Sequence, residues 1–309
     1  MFPLVHHQDY TVRQEGGADF PWDKYALLMT ILRDGPAPPV VHPAPLMPRE
    51  WLEVVHDPAY VDEVLRAQVP REKEKRIGFP VTERLAGRAQ RTAGGSWAAA
   101  MLALRTGYAA NGAGGSHHAL YDTGAGYCIF NDLAVAAYRL IAQGAVRRIL
   151  IVDLDVHQGD GTAALLAGRE DIVTFSMHGE RNFPVRKAAS TLDIGLPDGT
   201  RDAEYLDHLE RHLPRMIAMA RPDIILYQAG VDPHEDDRLG RLSLSDAGLV
   251  MRDSLIAATA RGHGIPLASV LGGGYGKDVQ AVARRHADAI VTMALTYYLY
   301  GRLSLCKRH

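Results

Sequence analysis

The chain has 309 residues, of which 47% are hydrophobic, and its formal net charge at pH 7 is -2. A chain of this size and composition can bury the core of one α/β domain, so we expect residues 1–309 to form a single domain. The nearly balanced charge gives no general attraction to nucleic acid or to an anionic membrane, and we expect neither as a partner.

The cysteines and the apolar segments indicate a soluble protein of a reducing compartment. Cys128 and Cys306 are the only cysteines and form no CxxC pair, which argues against a thiolate zinc site and a disulfide framework. Residues 1–7 lack the basic start and long apolar core of a signal peptide, and no apolar run reaches about 18 residues. We therefore expect a cytoplasmic protein without a membrane span.

Short β-branched runs alternate with longer helical windows, a pattern typical of βα units around a largely parallel sheet. In chain order the pattern predicts helices and strands over residues 95–104 (helix), 132–143 (helix), 148–154 (strand), 172–176 (strand), 203–220 (helix), 223–228 (strand), 245–261 (helix) and 266–271 (strand). These elements predict a doubly wound, three-layer α/β/α sandwich. Ligands bind at the carboxyl ends of the strands in such a sheet, so site residues are sought there.

Two further segments leave alternatives open. Residues 71–76 (Arg-Glu-Lys-Glu-Lys-Arg) have balanced charges, which favours a solvated loop or helix end; the alternative is the border of a substrate entrance. Residues 289–300 are apolar with three tyrosines and predict a closing helix packed on the sheet. The alternative for this segment is a subunit interface in a homo-oligomer.

A glycine-flanked pair of histidines, His117 and His118, follows the first helical window, and a second glycine-rich stretch continues from Gly124. Glycine lets the backbone approach a reacting centre closely, and imidazoles with an ordinary pKa near 6.5 are candidate acids and bases. Adjacent histidines also occur by chance on surfaces, so the pair needs support from other residues.

The strand over residues 148–154 runs into three alternating polar residues, Asp153, Asp155 and His157. On an extended strand these side chains share one face, and buried carboxylates are very costly unless something compensates them. A divalent cation provides that compensation, and oxygen and nitrogen ligands suit zinc, iron or cobalt. The alternative, that Asp155 and His157 only cap the next helix, explains three alternating polar residues less well.

Asp232 follows the strand over residues 223–228 and offers a third ligand beside Asp155 and His157. A catalytic zinc ion typically has three protein ligands and one open position. The alternative is that Asp232, which precedes a proline, only shapes a turn. With these ligands assigned, Asp153 and Asp160 remain, and each can hold one imidazole of the histidine pair by its other ring nitrogen.

Tyr275 lies in the glycine-rich stretch 272–276, directly after the strand over residues 266–271. A tyrosine held there can donate its hydroxyl proton to an oxyanion; the alternative is a packing tyrosine in a turn. The sequence has neither a phosphate-binding glycine motif after a strand nor a G-x-S-x-G motif. Nucleotide chemistry and a serine hydrolase mechanism therefore lack support.

These four elements, in this order, resemble the zinc-dependent histone deacetylase superfamily, closest to its class IV branch and bacterial relatives. The likeness spans most of the chain, from residues 56–61 and 77–80 to residues 236–243. It implies the arginase/deacetylase fold and one histone deacetylase-like catalytic domain over residues 1–309. It also implies Zn²⁺, or Fe²⁺ or Co²⁺ in its place, held by Asp155, His157 and Asp232.

The resemblance implies a role for each remaining site residue. His117 is oriented by Asp153, and His118, the main acid and base, by Asp160, while Tyr275 polarises the scissile carbonyl. The substrate channel is lined by Gly126 and Tyr127, with Phe183 on the opposite wall; tyrosine stands at 127 where phenylalanine is commoner. A K⁺ site would involve Asp153, Asp155, His157, Ser176 and Met177.

The activity implied is hydrolysis of the amide of an acylated lysine side chain in a protein or peptide. One alternative is a small-molecule amidohydrolase of the acetylpolyamine or acetoin-utilisation type, acting on an acylated small amine with the same fold. The other is a non-catalytic acyl-lysine-binding module. No match is found for the acidic rim residue of the eukaryotic enzymes, because residues 78–81 (Gly-Phe-Pro-Val) occupy that region.

Overall fold

The computed structural model describes residues 1–12 and 20–305. The described residues form one sheet of eight strands, in which all recorded strand pairings are parallel. The strands are β1 (Pro3–His6), β2 (Val40–Pro43), β3 (Tyr108–Asn111), β4 (Ile149–Asp153), β5 (Ile172–Gly179), β6 (Leu192–Leu196), β7 (Ile224–Gln228) and β8 (Leu267–Val270). Their spatial order is β2-β1-β3-β8-β7-β4-β5-β6. The predicted α/β class with a largely parallel sheet is confirmed.

Helices cover both faces of this sheet. The helices are α1 (Lys24–Asp34), α2 (Arg49–Glu53), α3 (Pro58–Leu65), α4 (Arg71–Ile77), α5 (Glu83–Thr106), α6 (Asp132–Ala142), α7 (Asp160–Leu165), α8 (Asp202–Ala220), α9 (Asp246–Gly262) and α10 (Val279–Leu305), with a short 3-10 helix at Gln8–Tyr10. On one face α1, α10, α9 and α8 pack side by side, and on the other α5 packs on α6 and on strands β1, β3 and β8. The three layers are those that the sequence predicts.

The predicted elements exist, and most differ from the observed ones only at their ends. The predicted helix over residues 95–104 is the second half of α5, which begins after Thr82, whose side chain accepts a hydrogen bond from Leu85 N. The predicted closing helix over residues 289–300 lies within α10, which packs against α9 and α1. Strands β1, β2, β3 and β6 have four or five residues each and were not predicted.

Strand β4 ends at Asp153, so Asp155 and His157 lie in the following loop and not on an extended strand. The loop is fixed by backbone contacts to the chain after β7: Leu154 N donates to Gln228 O over 3.2 Å, and Val156 N to Asp232 Oδ1 over 2.9 Å. Leu154 and Val156 are fully buried in the core. The alternation of apolar and polar residues continues beyond the strand because Leu154 and Val156, which alternate with the polar residues, still pack into the core.

Arg252, on α9, is fully buried and hydrogen-bonds to the backbone of the two loops that follow β4 and β7. Its Nη1 donates to Gly230 O over 2.6 Å and to Leu154 O over 3.3 Å. Its Nε donates to Asp253 Oδ1 over 2.9 Å, and the same oxygen accepts the Tyr227 hydroxyl over 2.6 Å. The guanidinium therefore joins the backbone segments that precede Asp155 and Asp232.

None of the helices that the structure describes is long and apolar enough to cross a membrane. Cys128 is a free, buried thiol, and Cys306 lies outside the described residues. Burial raises the pKa of the Cys128 thiol above its ordinary value, which favours the neutral form.

We predict that Arg252→Met lowers the free energy of unfolding by about 3–5 kcal/mol, because it leaves the buried Asp253 carboxylate without its cation. Denaturant unfolding followed by circular dichroism measures the change. The matched control is Arg105→Met, at an exposed arginine of α5, which should change stability by less than about 0.5 kcal/mol. Equal stability of the two variants would contradict the role given to Arg252.

Candidate functional site

The site lies at the carboxyl edge of the sheet, where neighbouring strands end together. Asp153 at the end of β4 is paired with Ser176 of β5 on one side and with Gln228 of β7 on the other. The loops that follow β3, β4, β7 and β8 therefore meet at one edge, as expected for a parallel sheet. They carry the tandem histidines, Asp155 with His157, Asp232, and Tyr275, respectively.

The three residues predicted as metal ligands lie together. One ligand atom each of Asp155, His157 and Asp232 falls within 4.8 Å of the others, and all three residues are buried. His157 Nδ1 lies 3.0 Å from Asp155 Oδ1 and 3.1 Å from Asp232 Oδ2. The imidazole thus faces two carboxylates, and the three candidate ligand atoms lie in one small region.

The charges at this point favour a cation. Burial and repulsion by Asp155 raise the pKa of Asp232 to about 7. Burial alone would lower the pKa of His157, but its hydrogen bonds to Asp155 and Asp232 outweigh it and raise the value to about 10. A proton on His157 balances part of the negative charge of the two carboxylates. A divalent cation in its place would satisfy both carboxylates, and two oxygens with one nitrogen fit such an ion.

The glycine-rich loop after β8 packs directly on the carboxylates. Gly273 N donates to Asp155 Oδ2 over 2.7 Å, and a Cβ atom at Gly273 would lie 1.9 Å from Asp232 Oδ2. Only glycine fits at that distance. Gln228 Nε2 lies 3.3 Å from the same Asp155 oxygen. Neither Gly273 nor Gln228 was predicted as a site residue, and only the position of Gln228 at the end of β7 indicated a role.

The tandem histidines lie in one hydrogen-bonded row. His117 Nδ1 is 2.7 Å from Asp153 Oδ2, and His118 Nδ1 is 2.6 Å from Asp160 Oδ1. The Nε2 atoms of the two rings are 3.1 Å apart. Each ring therefore contacts the carboxylate predicted for it, His117 with Asp153 and His118 with Asp160. The contact is made by Nδ1, the ring nitrogen that points away from the other histidine.

The two imidazoles have opposite proton affinities. Burial lowers the pKa of His117, but the negative charges of Asp153 and Asp155 outweigh it and raise the pKa to about 9. Burial and the positive charge of His117 lower the pKa of His118 to about 4, although Asp160 opposes the shift. At neutral pH His118 is therefore the unprotonated member of the pair.

Asp132, the first residue of α6, fixes the histidine loop and was not predicted as a site residue. It is fully buried, and its two oxygens accept hydrogen bonds from Ser116 N (2.6 Å) and Gly115 N (3.1 Å). Ser96 of α5 donates to the same carboxylate. Burial raises the pKa of Asp132, while these three donors oppose the shift. The polar pair Asn131–Asp132 after an apolar run was the only signal of this role in the sequence.

Tyr275 lies beside the predicted metal ligands with its ring almost fully buried. Its backbone is held on both sides: Tyr275 N donates to Asp237 Oδ2 over 2.6 Å, and Arg238 Nε donates to Tyr275 O over 2.8 Å. The ring centroid is 6.3 Å from that of His157. Burial and the neighbouring carboxylates raise the pKa of the Tyr275 hydroxyl well above its ordinary value, so it stays a proton donor.

A cleft of about 440 Å³ leads from the surface to these residues. His118, His157 and Tyr275 lie at its inner end, and the walls include Gly126, Tyr127 and Phe183. The Phe183 ring packs edge-on against His118, with 4.8 Å between centroids. The other residues that line the cleft are Arg76, Ile77, Gly78, Arg181, Asn182, Leu239 and Arg241.

The wall at Gly126 and Tyr127 has an unusual backbone. Gly126 has φ +53°, and a Cβ atom there would lie 2.7 Å from His118 Cδ2. Tyr127 has φ 67°, which is rare for a residue with a large side chain. Its ring is stacked nearly parallel to Phe79, 6.2 Å between centroids. Tyr127 lines the cleft, with 5.7 Å between its ring centroid and that of Tyr275, and a strained backbone there is consistent with a functional position.

The residues named for a K⁺ site are neighbours in the sheet, since Asp153 of β4 is in register with Ser176 of β5 and Met177 follows it. Asp153 Oδ1 also accepts a hydrogen bond from Asp155 N over 3.2 Å. These contacts do not test whether K⁺ binds, and the site stays a prediction.

The chain matches known proteins over most of its length. A model of the histone deacetylase domain matches residues 21–292. The chain is 43% identical to an uncharacterized protein of Picosynechococcus sp., over 93% of this chain and 96% of that protein. It is 32% identical to histone deacetylase 2 of Arabidopsis thaliana, over 65% of this chain and 52% of that relative.

The fold is shared with a solved structure. Acetylpolyamine aminohydrolase from Burkholderia pseudomallei superposes with a TM-score of 0.80 and 20% identity, covering 96% of this chain and 99% of that one. At this identity the likeness shows the arginase/deacetylase fold alone. The domain match, however, covers nearly all of the described chain and confirms the resemblance found in the sequence. The chain therefore belongs to the histone deacetylase family, whose members are hydrolases that act on amide bonds.

Proposed function

We propose that this protein is a zinc-dependent lysine deacylase, with one catalytic domain over residues 1–309, that hydrolyses the amide of an acylated lysine side chain. The observation that carries the proposal is the inner end of the cleft. There a neutral imidazole (His118) and a buried hydroxyl donor (Tyr275) line the cleft together with His157, the member of the Asp-His-Asp cluster that reaches it. A linear side chain that ends in an amide fits a cleft of this form.

Asp155, His157 and Asp232 would hold the metal ion. When bound there, the cation supplies Lewis acidity, which polarises a carbonyl and lowers the pKa of water towards about 7. Three protein ligands leave room for substrate, as in catalytic rather than structural zinc sites. The chain's own residues then carry the proton transfers and stabilise the charge that develops.

His118 is the group that accepts the proton of the attacking water. Its lowered pKa leaves it unprotonated at neutral pH, and Asp160 at 2.6 Å fixes the ring orientation through Nδ1. The Nε2 atom, which lies 3.1 Å from His117 Nε2, is then the nitrogen that takes up the proton. After accepting a proton, the imidazolium is stabilised by Asp160 and can donate that proton to the leaving amine.

Tyr275 is placed to stabilise the tetrahedral oxyanion that forms when water adds to the amide carbon. Its hydroxyl retains its proton because the pKa is raised, and its backbone is fixed on both sides by Asp237 and Arg238. A pre-positioned donor costs no reorganisation when the charge develops, which is why such groups have a large effect on rate.

The space for the acyl group is small. A cavity of about 30 Å³ lies behind the inner end of the cleft, beside Gly273 and Tyr275. A cavity of this size holds about two water molecules, and therefore only a few heavy atoms. This favours acetyl and other short acyl groups over long chains.

The proposal is tested by hydrolysis of an acetyl-lysine peptide, with metal content measured alongside. We predict that Asp155→Ala, His157→Ala and Asp232→Ala each abolish turnover and lower bound zinc, because each removes one of three ligands. Asp207→Ala, at an exposed carboxylate on α8, is the control and should keep both metal and activity. Full zinc occupancy in any of the three variants would remove that residue from the ligand set.

We predict that His118→Ala lowers turnover at least about a hundredfold while zinc remains bound, since a positioned acid or base contributes that much or more. Asp160→Asn should lower turnover less, because the ring is kept and only its orienting carboxylate is lost. Turnover over a range of pH, with metal content for each variant, is the measurement. Wild-type turnover in His118→Ala would show that another group transfers the proton.

We predict that Tyr275→Phe lowers turnover about a hundredfold to a thousandfold, with a smaller effect on KM, because the hydrogen bond strengthens as the oxyanion forms. Zinc content and melting temperature should stay near those of the wild type, since ring volume is kept. Tyr121→Phe, at an exposed tyrosine outside the cleft, is the control. A stable, zinc-loaded Tyr275→Phe protein with full turnover would mean that Tyr275 is only a packing residue.

A further inference from the structure

Three arginines surround the mouth of the cleft, contributed by three separate parts of the chain. Arg76 is at the end of α4, Arg181 follows β5, and Arg241 lies in the segment between β7 and α9. All three line the cleft and are exposed; the side chains of Arg181 and Arg241 are 76% and 56% accessible. They therefore meet a substrate where it leaves the cleft, and not at the reacting amide.

The backbone that carries these arginines is tied to the walls of the cleft. Gly126 N donates to Arg76 O over 3.0 Å. Asn182 is almost fully buried; its Oδ1 accepts from Arg241 N over 3.2 Å and its Nδ2 donates to Leu239 O over 2.7 Å. The arginine-bearing segments are thus fixed parts of the cleft, although their guanidinium groups extend into solvent.

Positive charge exceeds negative charge at this mouth. Arg181 and Arg241 share one carboxylate, Asp198, at 3.8 Å and 3.2 Å. Among the described residues, Arg76 has no ion-pair partner, and no aspartate or glutamate lines the cleft that these arginines surround. The carboxylate of Asp237, in the segment between β7 and α9 that also carries Arg241, accepts hydrogen bonds from the backbone N–H groups of Leu239, Gly240 and Tyr275.

The remaining charged groups of the Arg181 loop do not reverse this balance. Glu180 lies against Gly195 of β6 and is not among the residues that line the cleft. Lys187 adds a further positive charge, and its Nζ donates to Asn182 O and Pro184 O, each over 2.6 Å. The described residues that line the cleft therefore include three arginines and no carboxylate.

We infer that Arg76, Arg181 and Arg241 determine substrate specificity, and that the preferred substrate is an acylated lysine in an acidic peptide segment. The inference rests on the proposed deacylase function and specifies its substrate class. Carboxylates on either side of the acylated lysine would contact the arginines when the lysine side chain fills the cleft. A polyamine or a lysine-rich tail would place positive charge next to the same arginines, which weakens its binding and slows its encounter.

The size of the effect follows from the exposure of the arginines. One exposed ion pair changes an equilibrium by about 1.5- to 5-fold, so three arginines together should give roughly tenfold. Such an effect is sensitive to salt, because the screening length falls from about 10 Å at 0.1 M to about 3 Å at 1 M ionic strength.

The experiment compares kcat/KM of the metal-loaded, full-length protein on three acetyl-lysine peptides whose flanking residues are glutamate, lysine or glutamine. N-acetylspermidine is included as a cationic small substrate. We predict that the acidic peptide is about tenfold better than the basic one at low salt, and that the ratio approaches one at high salt. In the triple variant Arg76→Gln, Arg181→Gln, Arg241→Gln the ratio should fall to about one at all salt concentrations.

The matched control is the triple variant Arg33→Gln, Arg105→Gln, Arg221→Gln. It removes the same charge from the ends of α1, α5 and α8, which precede strands β2, β3 and β7 and so lie at the opposite edge of the sheet. Its acidic-to-basic ratio should match that of the wild type. A loss of preference in this control as large as in the rim variant would overturn the role of the three arginines, because net charge alone would then set the ratio.

Failure of the inference and failure of the proposed function are distinguishable by the glutamine peptide. Turnover of that peptide with equal rates for the acidic and basic peptides would overturn the inference and leave the deacylase function standing. Faster turnover of the basic peptide or of N-acetylspermidine would also overturn it. Absence of turnover on every peptide would overturn both.

Discussion

The structure of the site is governed by the burial of two carboxylates, Asp155 and Asp232, side by side at the edge of the sheet. Such a pair is stable only if positive charge and hydrogen-bond donors surround it. Gly273 N, Val156 N and His157 each supply a donor to one of the two. The glycine-rich loop, the end of β4 and the segment after β7 are therefore positioned by the same requirement.

Much of this site could be predicted because its residues are close in sequence or follow strands. Asp155 and His157 come directly after an apolar run, and Asp232 follows another, so parallel-sheet topology alone brings them together. The residues that hold them could not be predicted in the same way. Arg252 lies in a helix whose sequence is compatible with an exposed arginine, and its contacts with Leu154 O and Gly230 O exist only in the folded chain. Strand β2 has proline-rich flanks and four residues, too short for a periodicity to be detected.

The histidine pair shows how one type of side chain is given two different states by its surroundings. His117 lies near two carboxylates, Asp153 and Asp155, whereas His118 has Asp160 and a positively charged neighbour. The rings are adjacent in sequence and 4.1 Å apart between centroids, so sequence position cannot distinguish them. The distinction arises from the carboxylates, which come from the end of β4, the loop after it and α7. Separation of proton affinities within one pair is a recurring feature of acid and base catalysis.

The inner end of the cleft and its mouth have separate roles, catalysis and substrate discrimination. The residues around His118 and Tyr275 line the inner end of the cleft, where the proposed reaction takes place and where the amide is the same in every acylated amine. Discrimination among substrates requires groups that contact the parts in which the substrates differ. Such groups lie at the mouth of the cleft, where a substrate would leave it. Arg76, Arg181 and Arg241 are at that position, in three segments that are far apart in sequence. Their charge can therefore change without disturbing the buried carboxylates, which allows one catalytic arrangement to serve substrates of different charge.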